Sequence, residues 1–89
     1  MKKINIKKIN NNNLENTLLF LEREKRYKKI DKKILLNLAI KFTKFSQKNF
    51  DWRYLNLALK IKDHINKNNQ LNSEINKSII LLKKRLFKN

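Results

Sequence analysis

Apolar residues recur along this chain at spacings of three and four, the period that gathers side chains on one face of a helix. Leu14, Leu18 and Leu21 form such a face in a helix expected over 14–28, with Phe20 and Tyr27 on another side. Asn13 stands at its N-cap position, and Glu15 lies in the first turn, where the helix dipole favours a carboxylate. A second helix is expected over 32–47. Asp31 caps it, and Ile30 with Leu35 has the spacing of a hydrophobic staple. Ile34, Leu35, Leu38, Phe42 and Phe45 make its main apolar face, widened by Leu36 and Ile40. Lys33, Asn37, Lys41, Lys44 and Lys48 fall on a narrow polar face.

The same grammar recurs further on. Asp51 caps a third helix over 52–66, with Phe50 and Leu55 as its staple. Tyr54, Leu57, Ala58, Ile61 and Ile65 form the cleanest apolar stripe of the chain; Trp52, Leu55 and Leu59 form a further strip. A fourth helix is expected over 73–87, capped by Asn72 or Ser73, with Ile75, Ile79, Leu82 and Leu86 facing the core. Asn-rich or polar stretches at 10–13, 46–49 and 66–72 punctuate the pattern, since Asn tolerates the left-handed conformation at helix ends. Period-two alternation is confined to Ile4–Ile6, so no strand competes. The pattern predicts an all-α fold, a compact bundle of about four short antiparallel helices in one domain over 13–89, preceded by a flexible basic arm over 1–12. The cap-and-staple signal repeats after 20 residues. That is shorter than a helix-hairpin repeat of about 34 residues, so no repeat family is assigned.

Composition narrows the chemistry. The 89 residues include no Gly, Pro or Cys. Disulfides, thiol nucleophiles, thiolate metal sites and glycine-rich phosphate loops are thereby removed. Lys and Arg number 23 against 7 Asp and Glu, a net charge of +16. Part of that excess is compositional: Lys (19), Asn (15) and Ile (11), whose codons are rich in A and T, supply 45 residues. Glu also has an A-rich codon, however, and numbers only 4, so an AT-rich genome explains the lysines better than the shortage of acids. The longest uncharged apolar stretch runs from Ile34 to Ile40, far short of the ~20 residues a spanning helix needs. Lys7, Lys8 and the Asn run interrupt any signal-peptide core, and the expected location is cytoplasmic.

Each carboxylate has a structural task. Asp31 and Asp51 cap helices, and Glu15 and Glu74 sit in first turns. Glu22, Glu24 and Asp63 each precede a cation, Arg26, Lys28 and Lys67, by four residues. No pair of carboxylates is left for acid–base work. His64 is the only His and lies on the polar side of its helix, too little for a metal site. The reading is a protein with no catalytic residues, no metal site, no cofactor, no small-molecule substrate and no membrane span.

Two binding readings remain. The first is contact with a polyanion, read as DNA or RNA at low sequence specificity, through Lys33, Lys41, Lys44 and Lys48 on the second helix and Arg53, Lys60 and His64 on the third, where Asn56 is placed to reach a base edge. The short connection between these helices permits a helix-turn-helix arrangement, although Asp63 lies beside the reading face. The alternative is a helical-hairpin module, or a subunit of a larger assembly, that binds a protein partner or itself through Phe20, Tyr27, Trp52, Leu55 and Leu59. Docking on anionic lipid is a third use of basic helices, but here the apolar faces read as belonging to a core.

Overall fold

The computed structural model describes residues 13–87, and side chains up to Leu86. The proposed arm over 1–12 lies outside them. The described residues form four α-helices: α1, Leu14–Glu22; α2, Lys32–Asn49; α3, Trp52–His64; and α4, Asn69–Phe87. A 3-10 segment, Arg23–Lys29, joins α1 to α2. One cluster of buried side chains runs through all of them.

The two aspartate caps form as the sequence predicts. Asp31 Oδ1 accepts from the N–H groups of Lys33 (2.8 Å) and Ile34 (3.4 Å). Asp51 Oδ1 accepts from Arg53 N–H at 2.9 Å. Between the capped helices, α2 ends on Phe50 in the left-handed conformation (φ 53°, ψ 45°), where glycine is the usual occupant.

The contacts between helix ends fix the topology. Glu15 meets Arg53 at the starts of α1 and α3, and Tyr27 meets His64 further along both, so α1 and its 3-10 extension run with α3. The start of α2 meets the end of α3 around Leu36 and Ile65, so these two form an antiparallel hairpin. Arg85 near the end of α4 lies over Phe50 at the end of α2. The helices therefore alternate in direction. Between α2 and α4 the core turns small and polar. Ser46 Oγ donates to the Thr43 carbonyl at 2.6 Å; Ser78 Oγ shares that carbonyl at 3.1 Å. Every one of these side chains is buried, and their small size lets the two helices approach closely.

Four boundaries differ from the sequence reading; α2 runs to Asn49 rather than 47 and α3 stops at His64 rather than 66, and the other two shifts are larger. The first helix stops at Glu22 rather than continuing to 28. Arg23 is extended and Glu24 and Lys25 take positive φ (55° each). On an unbroken helix Tyr27 would stand off the Leu14–Leu18–Leu21 face. The break turns it back into the core, edge-on to His64 at 6.0 Å. The expected Glu22–Arg26 and Glu24–Lys28 pairs lapse with the helix, and Arg26 approaches Glu24 at 3.9 Å instead. The other larger shift is that α4 begins at Asn69, not 73. Asn68 Oδ1 accepts from Leu71 N–H at 3.0 Å, and Leu71 becomes the first anchor of a buried stripe continued by Ile75, Ser78 and Leu82. Because α3 ends at His64, Asp63 and Lys67 no longer share a helix.

Candidate polyanion-binding surface

Lys33, Asn37, Lys41, Lys44 and Lys48 are all exposed and share one strip of α2. The buried residues Leu35, Leu38, Ala39 and Phe42 occupy the other side and hold that strip toward solvent. From Lys33 to Lys48 the strip is about 22 Å long at 1.5 Å per residue. No Asp or Glu lies between Asp31 and Asp51. Asp31 itself is turned to the backbone N–H groups of α2. None of these four lysines takes part in an ion pair among the described residues. The result is a row of ammonium groups in no ion pair, with the Glu74 carboxylate reaching α2 at Gln47, whose Nε2 donates to it at 3.0 Å.

The expected second row shares one face of α3, but its members are unequally free. Asn56 and Lys60 are exposed, but the two residues flanking them are engaged. The Arg53 guanidinium donates to Glu15 Oε1 at 2.9 Å and to Asp51 Oδ2 at 3.1 Å, so its charge is spent on tying α1 to the start of α3. His64 is half-buried against Tyr27. With α1 and its extension held at both ends of this face, α3 is not a free reading helix. Asp63 is exposed beside it. Arg53 and His64 thus already have partners within the bundle, Glu15 and Asp51 for the first and Tyr27 for the second.

The pH dependence of this hub follows from its geometry. Burial pushes the Asp51 carboxyl up, but hydrogen bonds from the Arg53 side chain and N–H, with the guanidinium charge, outweigh it and hold the carboxyl below its ordinary value of 3.8. A lowered folded-state pKa means the contribution to stability is fully present above about pH 4 and is lost as the pH falls through the lowered value. In Asp51→Asn, which keeps a capping oxygen, the urea midpoint should fall less steeply on acidification than in the parent.

The five residues expected in an exposed apolar patch are covered to different degrees. Leu55 is fully buried and Tyr27 is 6% exposed. Phe20, Trp52 and Leu59 are partly buried and packed against the core. The physical reason is that α3 has neighbours on several sides: α2 and α4 cover its main stripe while α1 lies along the rest. Sequence reading missed other features. Phe50, Ile80, Leu81 and Leu86 are exposed, although Leu86 continues the core-facing stripe of α4. A cleft of about 180 Å³ at the start of α2 is lined by Lys32, Lys33 and Lys67 together with Leu36, Ile65, Asn66 and Asn68. It forms only because the α3–α4 connection folds back onto α2, which no local pattern encodes.

Among the described residues no three His, Asp or Glu side chains gather as a metal site would require, and no helix is long and apolar enough to cross a membrane. The chain matches no family model, no curated protein and no solved structure, so any functional reading rests on its own side chains.

Proposed function

We propose that this protein is a non-catalytic, cytoplasmic helical module that contacts nucleic acid along its phosphate backbone, with α2 as the contact element. The observation that carries the reading is the row Lys33, Lys41, Lys44 and Lys48, exposed, in no ion pair among the described residues and backed by the buried side of the same helix. Ammonium groups are point charges that neutralise phosphates without reading bases. Arg, the preferred guanine reader, is absent from α2, and Arg53 is engaged elsewhere. The reading is therefore low in sequence specificity and does not distinguish DNA from RNA by base contacts. The alternative, a protein-interaction module built on Phe20, Tyr27, Trp52, Leu55 and Leu59, has less support because its central residues are buried.

A salt titration tests the proposal. Binding of a mixed-sequence duplex should weaken with a log–log slope of about −3.6 if all four lysines engage phosphates, at about −0.9 per phosphate. An RNA hairpin should bind in the same regime, and heparin more weakly than either. Equal affinity for all three, or no duplex binding near ~150 mM salt, where charges beyond a Debye length are screened, would reject the reading.

A further inference from the structure

Five large apolar side chains remain exposed among the described residues, Leu19, Phe50, Ile80, Leu81 and Leu86, and three of them lie in the last eight residues of α4. Ile80 is 55% exposed and stands two residues from Ser78 and two from Leu82, both buried. At 100° per residue it projects from the side of α4 opposite the core. Leu81 adjoins it. Leu86 follows the stripe of Ile75, Ile79 and Leu82 but is 62% exposed, past the cover of the bundle. Lys83, Lys84 and Arg85 are interleaved with these residues and exposed. The Arg85 guanidinium sits 4.4 Å above the Phe50 ring. The last acid of the sequence is Glu74, which pairs with Lys77 at 3.7 Å; every later charge is positive.

We propose that this end of α4 docks on an anionic lipid bilayer. Ile80 and Leu81 enter the boundary between headgroups and acyl chains, while Lys83, Lys84 and Arg85 meet lipid phosphates. The charge selects the occupant. A second copy of the chain would bring the same cations against this face. The cleft lined by Lys32, Lys33 and Lys67 lies at the opposite end of α2. A few apolar side chains ringed by long cationic ones suit a planar, negative, deformable surface, because lysine and arginine stems can lie along apolar material while their heads stay in the phosphate layer. Each cation near such a surface is worth about fivefold in partitioning, and apolar insertion adds to it. This site is separate from the α2 row and does not depend on it.

Co-sedimentation of the full chain with vesicles tests the proposal. The protein should bind phosphatidylcholine vesicles carrying about 30 mol% phosphatidylglycerol and should not bind phosphatidylcholine alone. Ile80→Ser with Leu81→Ser changes no charge and no buried residue. It should lower partitioning about tenfold, while thermal unfolding and duplex binding stay as in the parent. If the double variant sediments like the parent, the attraction is only diffuse charge and the proposal fails. It also fails if the parent ignores the anionic vesicles. If the two serines weaken binding to an acidic helical peptide and leave vesicle binding intact, the occupant is a protein and the bilayer assignment is wrong.

Discussion

Phe42→Ala is expected to destabilise the bundle by about 3–5 kcal/mol, the range for removing a large buried ring. Phe42 is fully buried on α2. Its ring lies 5.8 Å from that of Tyr54 on α3, which in turn lies 4.5 Å from Phe45. These three rings hold the α2–α3 hairpin on which the other two helices rest. A domain of this size has roughly 0.05–0.15 kcal/mol of stability per residue, so the substitution would remove a large share of the total. Urea unfolding followed by circular dichroism gives the measurement. Phe45→Ala is the comparison. That ring is only partly buried, and its removal should cost less because water already reaches it. A loss below about 1 kcal/mol for Phe42→Ala would mean that the ring cluster does not anchor the hairpin.

Lys41→Glu combined with Lys44→Glu is expected to lower duplex affinity on the order of a hundredfold at moderate salt, since two phosphate contacts become two repulsions. The salt slope should shrink by about 1.8. Both side chains are exposed and unpaired among the described residues, so the fold should be retained. Net charge falls from +16 to +12, and that alone weakens polyanion binding. Lys28→Glu with Lys29→Glu makes the same change in charge on the 3-10 segment, outside α2, and should cost far less affinity. Equal losses for the two pairs would show that α2 is no contact element. Arg53→Ala supplies a further contrast. The guanidinium already faces Glu15 and Asp51, so its removal should affect the α1–α3 junction and leave duplex binding nearly unchanged.

What the sequence determined by itself was local. The Asp31 and Asp51 caps, the helices that follow them and the solvent-facing side of α2 all follow from spacing within about four residues. Helix periodicity and capping are physics of that range, and the described structure agrees at both caps and at the starts of α2 and α3. The four-helix, all-α architecture follows from the same signals. What only the tertiary structure decided is which faces meet. Arg53 stands on a polar helix face in the sequence, yet its charge is claimed by Glu15, 38 positions earlier. Leu55 and Tyr27 were legible as apolar but not as covered, because cover depends on how α1 crosses α3. The stop at Glu22 and the start at Asn69 are tertiary too. In the first, the helix gives up its register so that Tyr27 reaches the core; in the second, the Asn68 cap gains its value because Leu71 finds a buried place. Leu86 is the converse case, a residue with core spacing that lies where the bundle has already ended. A periodic pattern states that a face is apolar. Only the packed arrangement of all the helices decides whether another face lies against it.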